Sequence, residues 1–254
     1  MFERTGLVRH AFSTRLGGVS GAPYESLNMA FHVGDRDEAV LENRRLMCRA
    51  LGAEPGDMVA GKQVHGTEIC RVTGRHRGKG ARSLESAIPD TDGLVTAEPG
   101  ILLSSYYADC VPVMLLDPVK KAVGLAHAGW KGTAGRIAAK AVQTLRECFG
   151  TDPGDCLAVV GPSIGPCCYE IDSPVLEQFK KSYENWPEML RRTAPDRWKL
   201  NLWLANRRVL EEAGLKENNI LEAGLCTACH RDLFFSYRGQ SGLCGRMASL
   251  IMLK

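Results

Sequence analysis

Residues Ile101 to Trp130 read ILLSSYYADCVPVMLLDPVKKAVGLAHAGW, in which turn residues separate three apolar runs. The length and bounds of these runs are typical of strands, which we place at Ile101–Tyr107, Val111–Leu116 and Ala122–His127. The two links, Ala108–Cys110 and Asp117–Lys120, are too short for the crossover that joins parallel neighbours. We therefore expect mixed sheets rather than a purely parallel, doubly wound sheet.

The same criteria extend the pattern in both directions along the chain. Further strands are predicted at Met58–Ala60, Thr67–Val72, Gly93–Thr96, Cys156–Val160 and Leu243–Leu253. Amphipathic spacing predicts helices at Asp35–Gly52, Thr133–Phe149, Ser173–Tyr183 and Leu200–Gly214. Asp35 and Glu38 resemble a capping box at the start of the first helix. The alternation of strands and helices indicates an α/β protein.

Composition excludes several classes of function. The chain has 254 residues, is 44% hydrophobic and carries a formal net charge of +3, which is too weak and dispersed to indicate nucleic-acid binding. No apolar stretch is long enough to span a membrane, and no apolar signal segment opens the chain. Neither of the two glycine-rich nucleotide-binding fingerprints occurs. We expect a cytoplasmic protein with reduced thiols and no membrane partner.

Two histidines and one cysteine are the strongest indication of chemistry. His65, Cys110 and His127 lie at strand ends or in glycine-containing turns, where functional residues concentrate. Imidazole and thiolate are zinc ligands, and three protein ligands leave a fourth position open, as in catalytic sites. The spacing enforces no metal site, so buried packing residues are the alternative.

Four other cysteines form two local pairs. Cys226 and Cys229 form a CxxC, and Cys167 is followed directly by Cys168. A zinc ribbon needs two CxxC pairs, and the chain has one. We interpret Cys226 and Cys229 as structural, with redox or metal chemistry as the alternative, and the sequence assigns no role to Cys167 and Cys168.

Several motifs are similar to those of one known family. They are Phe12–Ser20, Tyr24–Asn28, His32–Asp35, Asn43–Arg44, Gln63–Gly66, Asp90–Thr96, Ala108–Pro112, His127–Thr133, Gly161–Glu170, Cys226–Thr227, Phe234–Arg238 and Gly245–Arg246. The chain resembles the laccase-domain purine nucleoside phosphorylases, long described as multicopper polyphenol oxidases and also as peptidoglycan editing factors. The similarity is collinear from about Phe12 to the C-terminus.

The resemblance implies a single α/β domain over residues 1–254, with mixed β-sheets packed between helical layers. It also implies a zinc ion on His65, Cys110 and His127. Family members cleave adenosine, inosine, guanosine or methylthioadenosine with phosphate, and some deaminate adenosine. Tyr107 stands where a smaller residue is common, which affects the expected substrate preference.

These reactions need further groups. We nominate Asp109, beside the Cys110 ligand, as the acid/base or as a partner that orients a ligand; a turn-capping role is the alternative. Arg15 and Arg44 are the candidate phosphate partners, because a guanidinium binds phosphate bidentately. A solvated helix face is the alternative for Arg44. Further candidates, which the sequence does not rank, are Lys131, Thr133, Arg238 and Arg246 for phosphate, and Tyr107 and Trp130 for stacking on a purine.

Alternative functions remain open at this stage. Six histidines without a His-x-His pair cannot supply a multicopper set, so any polyphenol oxidation should be weak. A cysteine hydrolase with Cys110 as nucleophile and His127 as base, acting on a peptidoglycan precursor, is a second alternative. A redox or partner-binding module built on the cysteine pairs is a third. We expect one zinc ion per chain, and a monomer or weak homodimer.

Overall fold

The fold of the computed structural model, which describes residues 1–254, is built from thirteen strands and six α-helices. The strands are β1 (Val8–Phe12), β2 (Met58–Ala60), β3 (Ile69–Arg71), β4 (Gly93–Thr96), β5 (Leu102–Tyr107), β6 (Val111–Asp117), β7 (Ala122–Ala128), β8 (Leu157–Val160), β9 (Glu170–Ile171), β10 (Leu190–Ala194), β11 (Arg197–Leu200), β12 (Ile220–Glu222) and β13 (Met247–Leu253). The helices are α1 (Asp37–Ala50), α2 (Trp130–Ala134), α3 (Ile137–Phe149), α4 (Ser173–Ser182), α5 (Trp186–Met189) and α6 (Leu202–Glu212).

The strands form three sheets. A six-stranded sheet has the order β12-β8-β6-β7-β4-β3, and a four-stranded sheet has the order β1-β13-β5-β2. Both are mixed, with parallel pairs at β12–β8, β4–β3 and β5–β2 and antiparallel pairs elsewhere. A small antiparallel sheet holds β10, β11 and β9. The expected mixed sheets are confirmed.

The two large sheets pack face to face between helices. Val59 and Leu103 of the four-stranded sheet share one apolar core with Met114 and Leu125 of the six-stranded sheet. The other face of the six-stranded sheet is covered by α3 and α6, and the other face of the four-stranded sheet by α1. The expected arrangement, an α/β domain with mixed sheets between helical layers, is therefore confirmed.

The link from Ala108 to Cys110 joins two strands that do not pair with each other. β5 belongs to the four-stranded sheet and β6 to the six-stranded sheet, so the link carries the chain from one layer to the other. Asp109 makes the turn with a φ of +83°. A short link limits the separation of two strands and does not require that they pair. The next link does close an antiparallel hairpin, between β6 and β7.

Two helix predictions need correction. The predicted helix Thr133–Phe149 is divided into α2 and α3 at Gly135 and Arg136, and Arg136 has a φ of +61°. A Cβ on Gly135 would lie 2.6 Å from Thr67 Cγ2, so the close approach of Thr67 requires a glycine at the break. The predicted capping box is absent, because Asp35 lies before the cap residue and instead accepts hydrogen bonds from Ser20 Oγ and Asn28 Nδ2.

The sequence patterns did not predict every secondary-structure element. β1 and the small sheet were not predicted, and β13 begins at Met247 rather than at Leu243. The exposed residues of β10 lack a core-facing alternation, which is the signal that identifies strands. None of the six helices combines the length and the apolar character needed to cross a bilayer.

Candidate functional site

Three distant segments bring His65, Cys110 and His127 to one edge of the six-stranded sheet. His65 lies in the loop between β2 and β3, Cys110 immediately precedes β6, and His127 is the penultimate residue of β7. Because β6 and β7 are antiparallel, with Pro112 opposite His127, the start of one strand lies beside the end of the other. We call these three residues the His/Cys trio.

The His/Cys trio has the spacing that a metal ion requires. The three ligand atoms all lie within 4.8 Å of one another, and the two imidazole ring centres are 4.8 Å apart, edge to face. A tetrahedral zinc with bonds of about 2.0–2.3 Å holds its ligand atoms about 3.3–3.8 Å apart. His127 is buried, Cys110 half-buried and His65 exposed, so the site opens to solvent on the side of His65.

Gly129 keeps the space between these ligands clear. A Cβ at this position would lie 3.0 Å from Cys110 Sγ and 3.0 Å from His65 Cδ2. The φ of Gly129 is −64°, which any residue adopts, so the lack of a side chain is required by space alone. The donor set and the cleared space together fit a bound metal ion.

Asp92 organises the trio, and the sequence analysis did not single it out. Its buried carboxylate accepts the backbone N–H groups of Val64, His65 and Gly66 at 2.8–3.0 Å. The same carboxylate accepts His127 Nδ1–H at 2.8 Å, so His127 Nε2 is left free to bind a metal. The sequence did contain a signal for Asp92, because this residue lies in the Asp90–Thr96 family motif and directly precedes β4.

Asp92 is held in its ionised form by these donors. Burial by itself raises the pKa of this carboxyl, but the hydrogen bond and charge of His127, with the backbone donors, lower it below its usual value. An ionised carboxylate only accepts hydrogen bonds, which fixes the tautomer of His127. One side chain therefore fixes the His65 loop and the orientation of the second imidazole.

Cys110 and His127 form a thiolate–imidazolium pair when no metal is bound. Burial raises the pKa of Cys110, but the charge and hydrogen bond of His127, with those of His65, lower it to about 6. Burial lowers the pKa of His127, but Cys110 and Asp92 raise it to about 9. The site therefore favours a thiolate, the form in which cysteine binds a metal or acts as a nucleophile.

His32 lies within electrostatic range of both the trio and Arg246, and Arg246 supplies the positive charge there. Desolvation of its ring, followed by the charges of Arg246, His127, His65 and Arg44, lowers the pKa of His32 to about 4. Arg246 is half-buried, and its Nη1 donates to the carbonyl oxygens of Cys244 and Gly245. Such an environment attracts anions. His32 lies in a quoted motif, but no sequence pattern indicated its place beside the trio.

Asp109 ties the trio to the C-terminal segments. Its Oδ1 accepts Thr227 Oγ1–H at 2.7 Å, and its Oδ2 accepts the backbone N–H of Arg238 at 2.6 Å. Both carboxylate oxygens are thus engaged by residues that lie more than a hundred positions away in sequence. The turn-capping alternative expected Asp109 to accept a backbone N–H of its own turn. Asp109 does accept a backbone N–H, but that group belongs to Arg238, far along the chain.

Arg15 and Arg44 both bind backbone carbonyl oxygens. Arg15 donates to the carbonyls of Glu25 and Arg231 and lies over the ring of Phe235. Arg44 is 1% exposed, and its Nε and Nη1 donate to the carbonyls of three residues, Met29, Gly80 and Ala81. The solvated helix face considered for Arg44 is therefore wrong. These contacts favour structural roles for both guanidinium groups.

The other candidates fall into different environments. Thr133 is fully buried, and its hydroxyl donates to Ala128 and accepts from Asn206, so it is not free to bind an anion. Tyr107 is buried, with its ring 5.4 Å from that of His127, so it supports a ligand of the trio. Arg238 donates to the carbonyl of Glu170 and lies over Tyr169.

The sequence matches one family over nearly its whole length. Residues 9–254 match the family described as multi-copper polyphenol oxidoreductase laccase. The chain belongs to this family. The resemblance found in the sequence motifs is thereby confirmed.

Similar members of the family have been named for nucleoside chemistry. The purine nucleoside phosphorylase YlmD of Bacillus subtilis is 40% identical over 243 residues, which are 96% of this chain and 87% of the relative. Adenosine deaminase RL5, from an unknown prokaryotic organism, is 36% identical over 90% of this chain and 87% of the relative. The crystal structure of YlmD from Geobacillus stearothermophilus superposes with a TM-score of 0.95 at 40% identity, covering 97% of this chain and 92% of that one.

Proposed function

We propose that this protein is a zinc-dependent purine nucleoside phosphorylase that also deaminates adenosine. The observation that carries the proposal is the His/Cys trio, organised by Asp92 and cleared by Gly129, in a chain whose relatives bear those names. Its substrates would be adenosine, inosine, guanosine or methylthioadenosine, with phosphate as the second reactant. It would act as a monomer or weak homodimer in the cytoplasm.

His65, Cys110 and His127 would hold the zinc ion, which supplies a Lewis acid when bound. In phosphorolysis, a phosphate oxygen bonds to C1′ of the ribose, and the bond from C1′ to the purine nitrogen breaks. The electron pair goes to the purine, which takes up a proton, so the products are free purine and ribose 1-phosphate. The chain must therefore orient an anion on one side of the ribose.

Arg246 and His32 are the residues best placed to bind that phosphate. Arg246 is half-buried, and desolvation together with its charge lowers the pKa of His32 to about 4, so His32 stays neutral near pH 7 and offers an N–H donor. Arg44 ranks below Arg246 because it is 1% exposed. Arg15 is half-buried like Arg246, and both donate to backbone carbonyls, but the charge of Arg246 acts on His32, on which the charges of His65 and His127 also act. Asp109 remains our nominee for handling protons, although its two hydrogen bonds also support a positioning role.

The test is product analysis by chromatography on a nucleoside panel, with and without phosphate. Free purine and ribose 1-phosphate should form only with phosphate, whereas deamination of adenosine should proceed in either buffer. Arg246→Ala should cost phosphorolysis about tenfold to a hundredfold more than deamination, since a charge-assisted hydrogen bond contributes about 1.5–3 kcal/mol. Arg146→Ala, on the exposed face of α3, is the matched control. Adenine release at equal rates in both buffers would mean hydrolysis instead.

A cysteine hydrolase is the second candidate, favoured by one specific observation. The side chain of His127 contacts both Cys110 and Asp92. In a hydrolase, Cys110 would be the nucleophile, His127 the base and Asp92 the group that orients the base. The substrate would be a peptidoglycan precursor. Metal content separates the two candidates, because zinc on Cys110 would block its use as a nucleophile. Loss of one zinc equivalent in Cys110→Ser favours the phosphorylase, and a zinc content that Cys110→Ser leaves unchanged, in a protein that hydrolyses a muropeptide, favours the hydrolase.

A further inference from the structure

A second group of four thiols lies outside the His/Cys trio. The sulfur atoms of Cys167, Cys168, Cys226 and Cys229 all lie within 4.8 Å of one another. Cys229 Sγ lies 3.5 Å from Cys167 Sγ and 3.4 Å from Cys168 Sγ. All four are free thiols. We call them the thiol cluster.

The backbone assembles the thiol cluster independently of the sulfurs. Ser163 forms a parallel β-bridge with Cys226. Its backbone N–H donates to the carbonyl of Leu225, and its carbonyl accepts the backbone N–H of Thr227. The turn after Gly165 then presents Cys167 and Cys168, and the turn of the CxxC presents Cys226 and Cys229. Two rigid turns are therefore fixed side by side with all their thiols on the shared side.

One sulfur of the cluster accepts a backbone hydrogen bond, and a glycine leaves room beside another. The backbone N–H of Gly165 donates to Cys226 Sγ at 3.2 Å, a bond that stabilises a negatively charged sulfur. A Cβ on Gly165 would lie 3.2 Å from Cys167 Sγ and 2.7 Å from the ring of Trp203, so glycine leaves the sulfurs room. Four thiolates this close repel one another unless a cation lies between them.

We propose that the thiol cluster binds a structural zinc ion, distinct from the ion of the His/Cys trio. A tetrahedral Zn(Cys)4 site with Zn–S bonds of about 2.3 Å places its sulfurs about 3.8 Å apart, a separation that lies between the 3.4 Å contact and the 4.8 Å upper limit of the cluster. Four protein ligands fill the coordination sphere, so the ion has no open position and its role is structural. The protein would then carry two zinc ions per chain rather than the one expected from the sequence.

The ion would brace one wall of the candidate active site. Cys226 is followed by Thr227, whose hydroxyl donates to Asp109, the neighbour of Cys110. Cys168 is followed by Tyr169, which lies under Arg238. Zinc at the cluster would fix these two segments relative to the start of β6. The four cysteines are thus positioning residues for the trio.

Zinc content per chain is the first test, measured by elemental analysis of protein purified without chelator. We expect about two equivalents in the unmodified protein. Cys229→Ser and Cys167→Ser should each lose one equivalent and lower the melting temperature. Cys110→Ser should lose the other equivalent, so failure of the proposed function is distinguishable from failure of this inference. Cys148→Ser, a half-buried thiol of α3, is the control and should keep both.

Cobalt gives a second readout that does not depend on activity. Cys110→Ser protein, reconstituted with Co²⁺, should show an intense thiolate-to-metal charge-transfer band, because only the thiol cluster then supplies thiolates. Adding Cys229→Ser should abolish most of that band. One zinc per chain that is unaffected by Cys229→Ser would overturn the inference. So would stoichiometric iron, or four thiols that resist alkylation after denaturation because they form disulfides.

Discussion

Asp92 shows, at the scale of single residues, how one carboxylate prepares a metal site. Its four hydrogen bonds fix the loop of His65 and the ring of His127 at the same time. From the sequence, we nominate Asp109 as the acid/base or as a partner that orients a ligand, because it adjoins the Cys110 ligand. Adjacency in sequence is a poor guide here, since Asp109 turns its carboxylate to Thr227 and Arg238.

Asp92→Asn should weaken zinc binding at the trio by about tenfold to a hundredfold, the usual cost of losing a group that orients a ligand. An amide offers one acceptor oxygen and cannot accept all four hydrogen bonds. The measurement is a competition titration with a chromogenic chelator. Asp117→Asn is the control, because Asp117 also accepts two backbone amides but lies at the β6–β7 hairpin. Equal zinc affinity in the two variants would contradict the role of Asp92.

Gly129→Ala should lower the zinc content at the trio without unfolding the protein. The added methyl group would press on Cys110 Sγ and on the ring of His65, whereas the backbone at Gly129 accepts alanine. Circular dichroism and elemental analysis together separate the two effects. Gly56→Ala, where a Cβ meets no atom within 4 Å, is the control. Full zinc occupancy in Gly129→Ala would show that the ligands lie further apart.

In metal-free protein, alkylation of Cys110 should persist down to about pH 6. The lowered pKa of Cys110 means that its thiolate is present above pH 6 and is lost as the pH falls through that value. The raised pKa of His127 keeps the imidazolium partner until the pH rises through about 9. The pair of Cys110 thiolate and His127 imidazolium therefore exists between about pH 6 and about pH 9. Peptide mapping after iodoacetamide pulses gives the profile.

Cys70 provides an internal comparison for that profile, because burial raises the pKa of its thiol and it should react only at alkaline pH. His127→Ala should move the Cys110 profile to higher pH. A Cys110 profile that rises only near pH 9 in the unmodified, metal-free protein would disprove the thiolate–imidazolium pair.

At the scale of elements, Arg44 joins α1 to the rest of the domain. Its guanidinium lies between the rings of Phe31 and Tyr106, within 4.2 and 4.5 Å of their centres. Its donors satisfy carbonyls in two loops, at Met29 and at Gly80–Ala81. The helix is therefore held by a buried cation as well as by its apolar face. The amphipathic pattern located α1 but assigned Arg44 to solvent or to phosphate.

Arg44→Ala should destabilise the protein by at least about 3 kcal/mol, since three carbonyls lose a charged donor and each unpaired group costs about 1–3 kcal/mol. The melting temperature should fall by about 6–12 °C for a chain of this size. Arg45→Ala is the control, because Arg45 is exposed on the same helix; its effect should stay within about 0.5 kcal/mol. Selective loss of phosphorolysis at unchanged stability would restore Arg44 as a phosphate ligand.

At the scale of the whole molecule, the layers decide which metal-binding residues meet. Four layers, helix on sheet on sheet on helix, place the start of β6 and the end of β7 at one edge. Of the six histidines, two join the His/Cys trio and none joins the thiol cluster. Neither group offers the many histidines of a three-copper centre.

Freshly purified protein should therefore contain no stoichiometric copper and show no blue absorption band, despite the name of its family. Phenol oxidation should be weak and should disappear when the trio is loaded with zinc. Copper analysis, visible spectroscopy and an oxidation assay on the same preparation test this. A strong blue band with several coppers per chain would refute it.

The sequence alone determined the local features of this protein. Most core strands, the main helices, the family motifs and the three residues of the trio all followed from residue type and short-range spacing, because a strand or a glycine turn is encoded by its immediate neighbours. The tertiary structure alone decided the rest. It separated β5 from β6, buried Arg44, brought Asp92 under His127 and assembled four thiols from two loops. These outcomes depend on contacts between segments that are distant along the chain, and such contacts are set by how the layers pack rather than by any local pattern.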